Sequence, residues 1–124
     1  MAKRILIIED NDAAREMYAI ALERAGFEVT QAADGPAGIQ KAAEFPPTLV
    51  LLDIGLPTMD GWEVCRVLNR DPATADAKIV ALTAHAFLHD GVRAGGCITA
   101  GFITKPAKPS RVVEEIVRLI GPPS

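Results

Sequence analysis

The chain has 124 residues and a formal charge of −3, from 13 basic and 16 acidic side chains. That length fits one compact domain, residues 1–124, and the acidic balance argues against direct nucleic-acid binding. Hydrophobic residues make up 49% and charged residues 23%, enough to bury a core, and no apolar run approaches the ~18 residues that span a bilayer.

Met1–Arg4 and the short apolar run behind it end in Glu9-Asp10, too early for a secretory leader, so the expected location is cytoplasmic, without membrane insertion. Cys65 and Cys97 show neither Cys-x-x-Cys nor Cys/His metal spacing, and two cysteines are too few for a disulfide framework. Reduced thiols in ordinary packing are expected.

Ile5–Ile8 is an unbroken Ile/Leu run and predicts a strand buried on both faces. A helix is expected from about Ala13 to Ala25, with Asn11 or Asp12 as N-cap and Gly26 as its stop; Ala14, Met17, Tyr18, Ala21, Leu22 and Ala25 form an apolar stripe at helical spacing. Phe27–Ala32 is more polar and reads as an edge strand. A second helix, Pro36–Glu44, opens on a proline suited to a first turn and stops before Pro46-Pro47.

Leu49–Leu52 predicts the third strand. A third helix starts after Asp60-Gly61 and runs to about Asn69, burying Val64, Val67 and Leu68. Trp62, beside Gly61, packs or caps this helix. Ile79–Leu82 predicts the fourth strand and Phe102–Ile103 the fifth. Between them, a fourth helix carrying Gly91, Gly95 and Gly96 is expected to be short and irregular, because each internal glycine costs about 0.8–1 kcal/mol relative to alanine. The fifth helix follows a Ser110 cap, and Val113, Ile116, Val117 and Ile120 make its inner face.

Strands alternating with helices predict an α/β fold, a doubly wound parallel sheet with right-handed crossovers. The flavodoxin-like strand order 2-1-3-4-5 with five helices is the expected version.

In such a sheet ligands bind beyond the carboxyl ends of the strands, at the switch point between strands one and three. Glu9 and Asp10 follow the first strand and Asp53 the third. Neighbouring strands lie ~4.8 Å apart, so these carboxylates should crowd together. A like-charge pair at ~4 Å costs about 4 kcal/mol at an effective dielectric of ~20, and three such groups call for a cation or raised pKa values. Oxygen donors without clustered His or Cys favour a hard ion, Mg²⁺ above all.

Thr83 and Lys105 follow the fourth and fifth strands. A hydroxyl and an ammonium facing a metal-bound carboxylate suit a transferred phosphoryl group. Asp53 would then be the nucleophile, forming an acyl phosphate. Singly, each residue reads as a cap, a turn or a strand former; together, at the ends of one sheet, they read as a site.

Glu9-Asp10, Asp53 with Leu56-Pro57-x-x-Asp60-Gly61, Ala81-Leu82-Thr83-Ala84 and Lys105-Pro106 closely resemble the motifs of two-component response-regulator receiver domains, over the whole chain. The resemblance implies that Asp53 is the phosphoacceptor, served by a histidine kinase or a histidine phosphotransfer protein. It implies Mg²⁺ held by Asp10, Asp53 and the Gly55 carbonyl, with Glu9 beside it, and phosphate binding by Lys105, Thr83 and Ala84. It further implies a cis bond between Lys105 and Pro106, and a switch pair, Thr83 and Phe102, that signals to a downstream protein target through the helix 4/strand 5/helix 5 face. Such a domain catalyses only its own phosphorylation and dephosphorylation, and a monomer is expected, with dimerisation on phosphorylation as the alternative.

Phe102 stands where tyrosine is commoner in the family, and Gly55 places no side chain beside the acceptor. His85 is expected near the site's rim and His89 at the surface. No output domain is expected after the fifth helix. A phosphatase with an Asp-x-Asp nucleophile is disfavoured because Gly55 stands two residues after Asp53. A flavin module is disfavoured because Glu9-Asp10-Asn11-Asp12 would repel a phosphate.

Overall fold

The computed structural model describes residues 2–56, 59–84 and 97–124. Five parallel strands, β1 (Arg4–Ile8), β2 (Glu28–Ala32), β3 (Leu49–Asp53), β4 (Lys78–Thr83) and β5 (Gly101–Thr104), form one sheet in the order β2-β1-β3-β4-β5. Four helices stand among the described residues: α1 (Asp12–Ala25), α2 (Gly35–Glu44), α3 (Gly61–Arg70) and α4 (Pro109–Ile120). The glycine-bearing helix expected between β4 and β5 falls on residues 85–96, outside the described residues, as do His85 and His89. The C-terminal α4 is therefore the expected fifth helix.

The unbroken apolar strands follow from burial on both faces. Ile5, Ile7, Leu49, Leu51, Val80 and Leu82 pack with Tyr18, Leu22 and Ile116 of α1 and α4. Leu6, Ile8, Val50, Leu52 and Ile79, at the alternate positions, pack with Ala42, Val64 and Leu68 of α2 and α3. The two edge strands, β2 and β5, are partly exposed along most of their length, as suits their places in the sheet.

Asn11 caps α1 through its side chain, and Gly26, at φ 109°, closes it in the left-handed region that glycine enters without penalty. Asp34 caps α2 ahead of a first-turn proline, and Asp60 caps α3.

Several local expectations shift. On α1 the buried residues are Tyr18, Ala19 and Leu22, while Met17 is 43% exposed. The N-cap of α4 is Lys108 rather than Ser110, with a proline in the first turn and no side-chain cap bond. The inward face of α4 is Val112, Glu115 and Ile116, and Val117 is exposed. Glu115 can turn inward because Arg111 and Arg118 both bond its carboxylate, which stays well below the usual range chiefly through Arg118.

The expectation of reduced thiols is overturned. Cys65 of α3 and Cys97, ahead of β5, are joined in a disulfide with a Cα–Cα separation of 5.4 Å, inside the ordinary ~4.4–6.8 Å range for such bonds. Both cysteines are fully buried. Side-chain bonds run alongside the link: Asn69 Oδ1 accepts the Ile98 N–H at 2.8 Å. Packing of α3 against the approach to β5 brings the thiols together.

The crosslink spans 32 residues, for which loop entropy gives about 3–4 kcal/mol. Thermal unfolding with and without dithiothreitol should show the reduced protein melting lower, and the untreated protein should titrate no free thiol. Two titratable thiols and an unchanged midpoint would rule the crosslink out.

Candidate functional site

The carboxyl ends of β1, β3 and β4, and the residue just beyond β5, meet at one edge of the sheet. Glu9 follows β1, and its N–H donates to Ala32 O at 3.1 Å, which keeps the chain in line with the sheet for one more residue. This brings the Glu9 side chain inside, where it is 0% exposed. Asp10 is already exposed. Asn11 then turns the chain into α1: its N–H reaches Glu9 Oε2 at 3.3 Å and its Oδ1 accepts from Ala14 N at 2.9 Å.

Asp53 is the last residue of β3 and is buried. Its Oδ1 accepts the Gly55 N–H at 2.9 Å, and the Ile54 N–H bonds Leu82 O at 3.0 Å, which fixes the turn beyond it. Gly61 is required here by close approach. A Cβ on it would lie 2.5 Å from Ile54 Cα and 2.7 Å from Asp53 O, so only glycine lets α3 start against the backbone of Asp53. Among the described residues, a Cβ at Gly55 would meet only Asp53 Oδ1, at an ordinary 3.7 Å.

Thr83 ends β4 and is buried. Its carbonyl accepts the Lys105 N–H at 2.7 Å, which carries the β4–β5 ladder one residue further and brings Lys105 to the same edge. The Lys105–Pro106 bond is cis. Lys105 Nζ lies 2.9 Å from Glu9 Oε1 and 3.1 Å from Asp53 Oδ2.

The charges are tightly linked. Burial is the main force pushing Glu9 up to about 7, with Asp53 adding to it and Lys105 opposing it. Burial also works against the Asp53 anion, but bonds from Glu9, the Gly55 N–H and Lys105 outweigh it and hold Asp53 below its usual range. Burial disfavours the Lys105 ammonium, yet Glu9 and Asp53 together raise its pKa. Glu9 and Asp53 thus act as a pair in which Asp53 keeps the negative charge.

Glu9, Asp10 and Asp53 each offer a carboxylate oxygen, and these lie within 4.8 Å of one another. The donors are all hard oxygens. Glu9 Oε1 is buried beside Lys105 Nζ, but no aligned hydrogen bond reaches it among the described residues. An unsatisfied buried oxygen in an acidic, oxygen-only cluster fits a hard divalent cation.

A cleft of ≈ 430 Å³ gathers Glu9, Asp10, Asp53, Gly55, Thr83, Ala84 and Lys105. Phe102 does not line it. It stands half-buried on β5 opposite Ala81, beside a second hollow bordered by Lys108 and Arg111. Trp62 is partly buried against the α2/α3 core, and its N–H is taken by Asp60 Oδ1 at 3.0 Å.

One residue at this edge has no sequence motif to announce it. Arg15, in the first turn of α1, donates from Nη1 to Glu9 O at 2.9 Å and pairs through Nη2 with Asp12 Oδ1 at 2.8 Å. Its spacing from Asp12 signals only an ordinary helix pair; the bond back to the β1 end exists only in the fold.

The family model of the response regulator receiver domain matches residues 5–117. The DNA-binding dual master transcriptional regulator RpaA of Synechocystis is 41% identical over 103 residues, which cover 83% of this chain and 43% of that protein. The chain thus spans less than half of RpaA. The polar-differentiation response regulator DivK of Brucella ovis is 32% identical over 123 residues, covering 98% of both chains. Among solved structures, the receiver domain of the sensor histidine kinase PA1611 from Pseudomonas aeruginosa superposes with a TM-score of 0.85 at 27% identity. The superposition covers 98% of this chain and 99% of that one, which has a magnesium ion coordinated in its active-site cleft. Phosphorylation-based signalling is this family's role, and no helix among the described residues is long and apolar enough to cross a membrane. On the sheet order, the site and these matches, the chain belongs to the response regulator receiver domain family.

Proposed function

We propose that Asp53 accepts a phosphoryl group from a phosphohistidine and that the change of charge there is read by a partner protein. The observation that carries this reading is the state of the Asp53 carboxylate: Oδ1 held by the Gly55 N–H, Oδ2 3.1 Å from Lys105 Nζ, and the whole group lining an acidic cleft. An anion fixed in this way is oriented for attack before any donor arrives.

In the transfer, the phosphorus–nitrogen bond of the donor breaks as a bond forms between phosphorus and an Asp53 oxygen. The electron pair leaves with the imidazole, and Asp53 becomes an acyl phosphate. Lys105 would neutralise phosphoryl charge, and the Thr83 hydroxyl and the Ala84 N–H, from residues that line the same cleft, would donate to its oxygens. Mg²⁺, when held by Asp10, Asp53 and the Gly55 carbonyl with Glu9 beside them, supplies the remaining positive charge. The donor would be a histidine kinase or a histidine phosphotransfer protein, and Thr83 and Phe102 would relay the change toward β5 and α4. Residues 1–124 would act as one cytoplasmic, monomeric receiver unit, with dimerisation on phosphorylation as the alternative.

Incubation with acetyl phosphate and Mg²⁺ should add one hydroxylamine-labile phosphoryl group, seen by intact mass. Asp53→Asn should abolish it, and undiminished labelling of that variant would place the acceptor elsewhere.

The same reading sets a pH dependence. Glu9 titrates at about 7 in the folded chain against 4.5 ordinarily, so the folded state holds a proton that the unfolded state releases. That contribution to stability is complete below the ordinary value and is lost as pH rises through about 7. Asp53 runs the other way: its contribution is present above its ordinary 3.8 and is lost as pH falls through the lowered value. A cation competes with the Glu9 proton. The gain in melting temperature on adding Mg²⁺ should therefore be larger near pH ~8 than near pH ~5.5. Equal gains at both would remove Glu9 from the cation's surroundings.

A further inference from the structure

We propose that Arg15 is a positioning residue for the cation site, fixing the β1–α1 turn so that Asp10 is delivered beside Asp53. The inference rests on the Mg²⁺ reading above and adds a residue that touches neither the phosphoryl group nor the ion.

The turn that carries the site is four residues long, Glu9 to Asp12, and begins where the sheet lets go of the chain. Glu9 is tied to β2 through Ala32 O, and Asn11 is tied forward into α1 through Ala14 N and Arg15 N. Asp10 lies between them, exposed. Its main-chain position is set by the peptides on either side.

Arg15 grips both. Its guanidinium holds the Glu9 carbonyl, which belongs to the Glu9–Asp10 peptide, and the Asp12 carboxylate two residues further on. Two nitrogens of one planar group thus set the ends of the segment in which Asp10 sits. The Arg15 side chain as a whole is 17% exposed, although the side chain of its partner Asp12 is 85% exposed. An ion pair to so exposed a carboxylate contributes little to stability. The bond to a main-chain carbonyl next to a metal-ligand candidate is the kind that orients a ligand.

A pure charge effect predicts the opposite outcome. Arg15 brings positive charge to the turn that carries Glu9 and Asp10, so by Coulomb's law alone its removal should tighten binding of a divalent cation. Positioning predicts weaker binding instead. The two accounts also part over Arg15→Lys, which keeps the charge but has no planar fork to bridge the turn.

The experiment is a calorimetric titration of the intact protein with MgCl₂, comparing wild type with R15Q, R15K and D10N. Losing an orienting partner of a metal ligand typically costs ~10–100-fold in affinity, and the lower end is expected for both R15Q and R15K. A second measurement follows the Mg²⁺ dependence of Asp53 labelling by acetyl phosphate. The half-maximal Mg²⁺ concentration should move up in both variants, with the rate at saturating Mg²⁺ preserved. Unchanged or tighter Mg²⁺ binding in R15Q, or wild-type binding in R15K, overturns the proposal. So does a lowered rate that saturating Mg²⁺ fails to restore. If R15Q does not fold, R15K decides alone. D10N keeps the two readings apart: Mg²⁺ affinity unaffected by D10N sinks the cation-site reading itself, whereas loss in D10N with none in the Arg15 variants sinks only the positioning role.

Discussion

The cost of burying Glu9 and Asp53 side by side, with Lys105 as the one ammonium within 4 Å of both among the described residues, governs the rest of the site. Two buried anions so close cannot both stay charged without compensation. The molecule answers unequally: Asp53 gains a main-chain donor at Gly55 and keeps its charge, while Glu9, deeper and without an aligned bond at Oε1, holds on to its proton toward neutral pH. The difference between two chemically similar side chains thus comes from one backbone N–H and from depth. In the proposed reading it suits Asp53 to be the nucleophile of the pair and leaves Glu9 as the group whose proton a cation would displace.

The scaffold makes that inequality possible. Strands β1, β3 and β4 run in one direction and are apolar on both faces, so their polar ends gather at one edge. The pairing Leu52↔Ala81, Asp53↔Leu82, and the extra ladder bond from Lys105 N to Thr83 O, set Asp53, Thr83 and Lys105 at matching heights. A register slip of one residue would send Asp53 to the other face of the sheet. The run Leu49 to Leu52 prevents it, because every one of its side chains is fully buried where it stands.

These parts were legible in the sequence because they are periodic or punctuated. Unbroken Ile/Leu/Val runs announce doubly buried strands, and acidic residues straight after such runs mark the strand ends. What stayed hidden depends on two segments meeting in three dimensions. Met17 fits the apolar spacing of α1, yet Ala19 is buried and Met17 is not; helical spacing alone leaves the stripe uncertain by one position when alanines flank it. Glu115 looks like a solvent-facing residue until Arg111 and Arg118 close over its carboxylate. Cys65 and Cys97, 32 residues apart, carry no spacing signature at all. Their partnership follows from the approach to β5 lying against α3, which is a fact about packing. Arg15 belongs with them, since its bond to Glu9 O joins a helix side chain to the end of a strand six residues earlier.

β5 connects chemistry to surface more directly than any other described element. Its four residues begin one position before Phe102 and end one position before Lys105, so a strand of minimal length separates the half-buried aromatic from the ammonium that touches Asp53. Lys108, three residues past Lys105, is already the N-cap of α4. In the proposed reading, phosphorylation replaces a carboxylate by a larger, more highly charged group against Lys105. The force reaches β5 at one end, and Phe102 and the start of α4 lie within a few residues of it. On the other side the same region is tied down by the Cys65–Cys97 link, which holds the approach to β5 against α3. The strand is therefore tied covalently ahead of its entrance and electrostatically just past its exit, and in the proposed reading the charge at Asp53 would act on the exit. A displacement that started at Lys105 would then run toward Pro106 and α4, away from the crosslinked end.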